Sequence, residues 1–237
     1  MRFPLPHIAE IKMKKTLLIF LVISALGLLA YWGIEMSKFA DGVIEDSKRT
    51  ETLQIKQEIK DGDIIFHTSK SSQSKAIQLA TNSKYSHMGI IYKNGESLFV
   101  YEAIQPVKLT PIGEWINRGE NGHYVIKRLK NANKVLTEET LKKMKTFGEK
   151  FKGKNYDLYF EWSDDKIYCS ELVWKIYKEN TGIEIGQLEK LSDFDLTNKT
   201  VKQKMKERYG EDIPMNEKVI SPAAMFNSTN LETVKEN

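Results

Sequence analysis

A β-hairpin centred on Asn94-Gly95 is the local pattern that most constrains how this chain folds. Two runs rich in apolar, β-branched and aromatic residues, 87–92 and 97–103, flank this dipeptide. An Asn-Gly pair between two such runs is a strong short-range signal for a two-residue turn of type I′. The sequence therefore predicts two antiparallel strands joined by a tight turn, and with them an antiparallel sheet.

The predicted turn also determines which residues face each other across the hairpin. If the Asn-Gly pair forms the whole turn, Lys93 pairs with Glu96, and in the same register His87 lies directly opposite Glu102. Directly opposed side chains have Cβ atoms roughly 4.5–5.5 Å apart. A four-residue loop keeps this register, whereas a three-residue loop or a bulge breaks it. The register predicts a contact between an imidazole and a carboxylate.

Cys169 is the only cysteine of the chain and stands at the predicted start of an amphipathic helix. Leu172, Val173 and Ile176 follow it at helical spacing, so the thiol shares their apolar face. Backbone N–H groups at a helix N-terminus, together with the helix dipole, favour the thiolate, which is the nucleophilic form. The alternative is a buried structural cysteine, since free cysteine is among the most buried residue types.

A nucleophilic cysteine needs a base, and the base needs a group that orients it. Among the four histidines, His87 is the strongest candidate because the hairpin places it beside Glu102. The predicted constellation has Cys169 as nucleophile, His87 as base and Glu102 as orienting carboxylate. The alternatives are a half-buried strand histidine and an exposed strand glutamate. His67 follows a predicted short strand, 62–66, and either lines the same cleft or ends that strand.

Composition narrows the range of cofactors and partners. One cysteine and scattered histidines show none of the paired spacings typical of zinc sites, so the sequence predicts no metal and no cofactor. The net charge of +4 is spread along the chain and comes without a basic-aromatic motif, which argues against nucleic acid. The 237 residues, 41% of them apolar, suffice for one globular core. No pattern specifies an oligomeric state.

The N-terminal region predicts a membrane segment. Residues 16–34 form an uncharged stretch preceded by Lys12, Lys14 and Lys15. Such a length can cross a bilayer, and the flanking lysines place the N-terminus in the cytoplasm. The rival interpretation is a cleaved signal peptide, which would make the protein secreted. No small-x-small site follows the apolar stretch, which favours an uncleaved anchor. Met13 is an alternative start of the chain.

These features divide the chain into four predicted regions. Residues 1–15 are a cytoplasmic N-terminus, 16–34 a transmembrane anchor or uncleaved signal, and 35–60 a charged helical spacer. Residues 61–237 form an α+β domain, an antiparallel sheet packed on helices, on the extracytoplasmic side of the cell membrane. Within it, the polar stretch 190–210 is a candidate insertion on the substrate side.

Five short motifs of this chain occur in an order typical of one enzyme family: Gly62–Phe66, Tyr85–Ile90, Tyr101–Ala103, Tyr156–Phe160 and Tyr168–Leu172. With them, the chain resembles the permuted papain-like amidases, bacterial relatives of the NlpC-type cell-wall peptidases and of lecithin retinol acyltransferase. In papain the nucleophile precedes the histidine, whereas here His87 and Glu102 precede Cys169. The segment 220–226 is similar to the family's closing segment. The resemblance covers roughly residues 60–230 and implies a circularly permuted papain-like (NlpC-like) fold.

The resemblance also implies roles for individual residues. Cys169, His87 and Glu102 match the family motif one for one as nucleophile, base and third member. The backbone N–H of Cys169 is the natural first donor to an oxyanion, because it lies at a helix start. Tyr85 and Tyr168 are the candidates for the second donor.

The function implied by the resemblance is hydrolysis of an amide or peptide bond through a thioacyl-enzyme. The expected substrate is a peptide, a muropeptide or a lipid-linked amide. One alternative is a lipid acyltransferase or acyl hydrolase with the same Cys-His site, for which an open apolar groove beside Cys169 is expected. The other is a non-catalytic, tethered binding module, in which Cys169 is unreactive and binding survives Cys169→Ala.

Overall fold

The computed structural model of the protein describes residues 27–44 and 58–237. Helix α1 spans residues 27–44 and belongs to a first unit, Met1–Gln57, while Glu58–Asn237 forms a second compact unit. Among the described residues, no helix has both the length and the apolar character that crossing a bilayer requires. Residues 16–26 of the predicted anchor and 45–57 of the predicted spacer lie outside the described residues.

An antiparallel sheet forms the framework of the second unit. The strands of this unit, numbered in chain order, are β1 (Ile64–His67), β2 (His87–Asn94), β3 (Ser97–Glu102), β4 (Lys108–Pro111), β5 (Val125–Leu129), β6 (Glu189–Lys190), β7 (Lys218–Val219) and β8 (Leu231–Glu236). The large sheet has the order β4-β3-β2-β1-β5-β8, and β6 pairs with β7. Each strand pair is antiparallel, so the predicted sheet type is confirmed.

The described part of the second unit also contains the α-helices α2 (Ser72–Thr81), α3 (Ile112–Arg118), α4 (Ala132–Val135), α5 (Glu138–Glu149), α6 (Cys169–Thr181), α7 (Lys199–Tyr209) and α8 (Pro222–Phe226), together with two short 3-10 helices, Glu120–Gly122 and Leu191–Asp193. The two faces of the sheet have different roles. On one face, apolar side chains of β1 and β2 such as Phe66 and Ile90 join Leu172 and Ile176 of α6 in the main core. On the opposite face, which also carries the buried Ile65 and Ile91, the rings of His67 and His87 stack with Trp115 of α3.

Side-chain caps explain where several helices begin. The hydroxyl of Thr137 accepts a hydrogen bond from the Thr140 N–H at 3.2 Å and so caps the start of α5. Ser221 likewise caps α8, with Pro222 as the first helical residue, where a missing N–H costs nothing. Ser71 caps α2 in the same way, by accepting a hydrogen bond from the Ser74 N–H at 3.2 Å.

The hairpin exists, but its predicted register is wrong by two positions. Asn94 pairs with Ser97, which leaves Gly95 and Glu96 as the turn. Gly95 has φ 57° while Glu96 keeps a negative φ, which is the pattern of a type II′ turn with glycine first, not of type I′. Since side chains alternate with a period of two, this even shift keeps every residue on its predicted face. It moves His87 from directly opposite Glu102 to a diagonal position.

Candidate active site

Cys169 is the first residue of α6 and is almost fully buried. Tyr168 precedes it with extended backbone as the N-cap, so that the chain turns into the helix directly at the thiol. The backbone N–H groups of Met88 and Ser170 donate hydrogen bonds to the sulfur. The first of these brings the start of β2 against the start of α6. The sequence expectation of a thiol at a helix N-terminus is therefore met.

His87 is the first residue of β2, and its ring joins the thiol to a carboxylate. Its Nε2 donates a hydrogen bond to Oε2 of Glu102 at 2.6 Å. The side chain also forms a hydrogen bond with the Cys169 thiol. Because Nε2 is occupied by the carboxylate, the ring nitrogen left for the thiol is Nδ1. The structure thus brings the three predicted side chains into one contiguous chain of hydrogen bonds.

Glu102 is completely buried, and both of its oxygens have partners. Oε1 accepts hydrogen bonds from the Thr110 hydroxyl at 2.6 Å and from the guanidinium of Arg118. Neither Thr110 nor Arg118 was found by sequence reasoning, because no local pattern links β4 and the end of α3 to this glutamate. A buried carboxylate is stable only when such donors replace its lost hydration.

Gly89 makes the diagonal contact possible. A Cβ added at this glycine would lie 2.5 Å from Cγ1 of Val100, 2.8 Å from the carbonyl oxygen of Tyr101 and 3.3 Å from Cβ of Glu102. Gly89 therefore occupies the place across from Glu102 that a directly opposed side chain would fill. The open space lets the glutamate lean along the sheet toward His87.

Electrostatics within the triad favour an ion pair between thiolate and imidazolium. Burial by itself raises the pKa of the Cys169 thiol, but the hydrogen bond and charge of His87 and the two backbone N–H groups lower it below its ordinary value. Burial opposes charge on His87 as well, yet its hydrogen bonds and charge interactions with Cys169 and Glu102 raise its pKa to about 9. For Glu102, burial is outweighed by His87, Thr110 and Arg118, so its pKa is lowered.

His67 lies beside His87 but is not part of the hydrogen-bond chain. The two histidines pair across β1 and β2, with ring centroids 5.3 Å apart, and His67 stacks on Trp115 at 3.8 Å. Burial, followed by the positive charges of His87, Arg118 and Lys70, lowers the pKa of His67 to about 2. His67 is therefore a neutral side chain that packs beside the imidazole of His87.

Neither tyrosine predicted as an oxyanion donor presents a free hydroxyl to the thiol. The ring of Tyr85 stacks on Phe226 at 3.9 Å, and its hydroxyl bonds to Lys84. Tyr168 borders the nucleophile, but its hydroxyl accepts a hydrogen bond from the Ile220 N–H at 3.1 Å. Both rings serve packing, because adjacency in sequence to His87 and Cys169 does not place a hydroxyl at the sulfur.

Tyr156 takes the position that those tyrosines were expected to hold. Its hydroxyl is in hydrogen-bonding contact with Cys169 and accepts a hydrogen bond from Nε2 of Gln73 at 3.4 Å. Burial, and then the neighbouring thiol, raise its pKa well above the ordinary value, so the phenol stays protonated as a donor. A β-bridge to Ile167 holds Tyr156 beside the approach to α6. The only sequence signal for it was its place in the 156–160 motif.

Cys169 lines a groove whose volume, counted together with its open mouth, is about 700 Å³. The walls come from α2, from α7 and its preceding segment, and from residues 219–222. Most lining side chains are apolar, and the charged ones are Lys204 and Arg208 of α7. His87 does not line the groove. The stretch 190–210, predicted as a substrate-side insertion, forms one wall with a small core of Leu191, Val201 and Met205.

No group of three or more His, Cys, Asp or Glu side chains within the described residues is arranged to hold a metal ion. The thiol and imidazole of the site are engaged with each other and with Glu102.

Comparisons with known proteins agree with the resemblance read from the motifs. The family model for "Permuted papain-like amidase enzyme, YaeF/YiiX, C92 family" matches residues 58–235. "Uncharacterized protein YiiX" of Escherichia coli (strain K12) is 47% identical over 173 residues, which cover 73% of this chain and 84% of that protein. The crystal structure of "metalloprotein yiiX" from Escherichia coli O157:H7 has a TM-score of 0.72 and 47% identity. The match covers 76% of this chain and 98% of that chain.

Proposed function

This chain belongs to the permuted papain-like amidase family, and from that premise we propose that it hydrolyses an amide or peptide bond through a thioacyl-enzyme. The observation that carries the proposal is the continuous contact of Cys169, His87 and Glu102, in which the thiol pKa is lowered. A thiolate held beside an imidazolium is the reactive form of a cysteine nucleophile.

In the acylation step, the Cys169 sulfur attacks the carbonyl carbon and a C–S bond forms. Charge develops on the carbonyl oxygen, for which the N–H of Cys169 and the hydroxyl of Tyr156 are the proposed donors. Nδ1–H of His87 then gives its proton to the leaving nitrogen as the C–N bond breaks. The products of this step are a free amine and a thioester on Cys169.

In the deacylation step, water attacks the thioester while His87 takes its proton. The C–S bond breaks, an acid is released, and the thiolate–imidazolium pair is restored. Glu102 keeps the imidazole oriented and stabilises its positive charge in both steps. Thr110 and Arg118 hold the glutamate in turn.

The thioacyl-enzyme itself can be observed. We expect brief incubation of the full-length chain with an activated acyl ester to add the mass of one acyl group, located on Cys169 by peptide mapping. Cys169→Ala should remain unmodified, and Cys169→Ser, a smaller change, should acylate far more slowly. Acylation elsewhere, or none at any pH between 6 and 9, would count against the proposal.

The alternative of a lipid acyltransferase or acyl hydrolase is favoured by one observation, the apolar groove that opens directly at Cys169. Both alternatives use the same thioester and differ in the bond that is cleaved and in the acceptor. Release of a free acid from an acyl amide in water supports amide hydrolysis. Transfer of the acyl group to an added alcohol or amine, at rates exceeding hydrolysis, would support the transferase.

A tethered binding module without catalysis is the remaining alternative. A module of this kind has no use for a cysteine with a lowered pKa in contact with a buried His–Glu pair. An unreactive Cys169, together with binding that is unchanged in Cys169→Ala, would support it.

The related Escherichia coli protein of known crystal structure is named a metalloprotein. In this chain, the described residues offer no group of three or more metal-binding side chains at the site or elsewhere. The residues present therefore do not fit a resident metal ion, and the proposed steps use none.

The setting that we propose for the enzyme is the outer side of the cell membrane. The support is the uncharged stretch 16–34 with the three lysines that precede it. Peptides, muropeptides and lipid-linked amides are substrates available there. Protease treatment of intact cells tests this: degradation of the 61–237 domain without lysis is expected, and full protection would contradict it.

A further inference from the structure

The groove beside Cys169 lies on the acyl side of a bound substrate. The proposed general acid, His87, protonates the leaving amine, so the amine has to lie on the His87 side of the sulfur. His87 does not line the groove, whereas Cys169 and Tyr156 do. The part of the substrate that becomes the thioester must consequently extend into the groove. This step rests on the proposed function.

The chemistry of the walls specifies what the acyl part looks like. Ala76 and Ile77 of α2 line the groove together with Val201 and Met205 of α7 and with Phe160. Burial of an alkyl chain against such walls is favourable because it removes apolar surface from water. A long aliphatic acyl chain is the matching occupant.

One of the two charged side chains in the groove lining, Arg208, forms no salt bridge within the described residues. Arg208 is half-buried, and its guanidinium lies 5.0 Å from the ring centroid of Phe160. No carboxylate in the described part of the chain forms an ion pair with it. By contrast, Lys204 is paired with Glu207 at 2.6 Å and Lys206 with Glu211 at 3.0 Å.

The position of Arg208 relates it to the nucleophile. It shares the groove lining with Cys169 and Tyr156, and its charge acts on the Tyr156 hydroxyl. A half-buried guanidinium that forms no salt bridge within the described residues is suited to bind a carboxylate in a bidentate manner. The anion would lie within the acyl part, close to the scissile carbonyl.

We propose that Arg208 is a specificity-determining residue that binds a carboxylate on the acyl side of an amphiphilic amide substrate. The preferred substrate combines a long aliphatic chain, held in the groove, with a negative charge near the scissile carbonyl. An N-acylated acidic residue whose carbonyl is joined to the leaving amine has this chemistry.

Four coumarin amides test both features at once. They carry either an acetyl or a dodecanoyl group on either a glutamyl or a glutaminyl residue, and are used below their critical micelle concentrations. For the full-length chain we expect kcat/KM to be highest for dodecanoyl-glutamyl coumarin, and about tenfold lower for its glutaminyl counterpart. In Arg208→Gln this charge preference should fall to about one, while the preference for dodecanoyl remains. Lys206→Gln, on the same helix outside the groove, should keep both preferences.

Binding to Cys169→Ala separates this inference from the proposed function, because no turnover is needed. Calorimetry with the same four compounds should show the same preference for chain and charge, and Cys169→Ala/Arg208→Gln should lose the charge preference. Equal affinities for glutamyl and glutaminyl compounds would overturn the inference even if wild type cleaves them. Selective binding without any cleavage or acylation by wild type would support it and overturn the proposed function instead.

Discussion

Glu102 holds the imidazole of His87 with one carboxylate oxygen, while Thr110 and Arg118 hold the other. This arrangement fixes the imidazole by a group that is itself fixed, which limits the freedom of the base to rotate. Against the effect of burial, the Cys169 thiol and then the Glu102 carboxylate raise the pKa of His87, so the carboxylate adds negative charge that stabilises the imidazolium. The charge of Glu102 and its position can therefore be tested by separate substitutions.

Glu102→Gln keeps the size of the side chain and removes its charge. We expect kcat/KM for an amide substrate to fall about a hundredfold or more, because the imidazolium loses its stabilising partner. The pKa of the Cys169 thiol should rise toward its ordinary value. Glu96→Gln, in the exposed turn of the same hairpin, should change neither quantity. A Glu102→Gln variant with nearly full activity would refute the orienting role of the carboxylate.

Thr110→Val removes one donor to Glu102 at nearly constant volume. The glutamate then has a buried oxygen with one hydrogen bond fewer, which should lower the free energy of unfolding by about 1–3 kcal/mol. Urea unfolding followed by circular dichroism measures this change. Thr233→Val, on the exposed face of β8, is the matched control and should be close to neutral. Equal stabilities of the two variants would show that the Thr110 hydrogen bond contributes nothing.

At the scale of elements, the site depends on how β2 meets both β3 and α6. The β2–β3 register places Gly89 across from Glu102, and the start of β2 meets the start of α6 through the Met88 N–H and the Cys169 thiol. A change that pushes β3 away from β2 should therefore affect stability and thiol reactivity together.

Gly89→Ala provides that change. The added methyl group would lie 2.5 Å from Val100 Cγ1 and 2.8 Å from the Tyr101 carbonyl oxygen, so the strands must separate. We expect a loss of about 1–3 kcal/mol in unfolding free energy and slower alkylation of Cys169. Gly113→Ala in α3, where a Cβ meets nothing within 4 Å, should be neutral or stabilising. Unchanged stability and alkylation in Gly89→Ala would contradict the proposed role of the glycine.

For the whole molecule, the ion pair predicts how activity depends on pH. The thiol pKa is lowered and that of His87 is raised to about 9, so the thiolate–imidazolium state exists between the two. As pH rises, kcat/KM should increase with thiol deprotonation below its usual range, then decline near pH 9 as the imidazolium loses its proton. A profile that starts to rise only above about pH 8.5, the ordinary thiol pKa, would place the nucleophile in the ordinary thiol form.

The sequence could predict the three central residues of the site but not the residues that support them. Cys169, His87 and Glu102 could be identified from the sequence because a helix start and a hairpin are local patterns. The error of two positions in the hairpin register left His87 and Glu102 on their predicted face of the sheet. Thr110, Arg118 and Tyr156 reach the site from other segments through packing, for which no local spacing exists. Tyr85 was misplaced because it precedes β2 and its ring packs on Phe226, a contact that no local spacing indicates.

Alkylation of Cys169 by iodoacetamide as a function of pH is the decisive measurement for an activated nucleophile, because the chain has no other cysteine. Wild type, His87→Ala and Glu102→Ala are compared as full-length chains, with circular dichroism confirming that each is folded. We expect fast labelling of wild type well below the ordinary thiol pKa of about 8.5, and in both variants a shift of the midpoint to higher pH. Slow labelling of wild type at neutral pH, with the same profile in His87→Ala, would contradict an activated nucleophile.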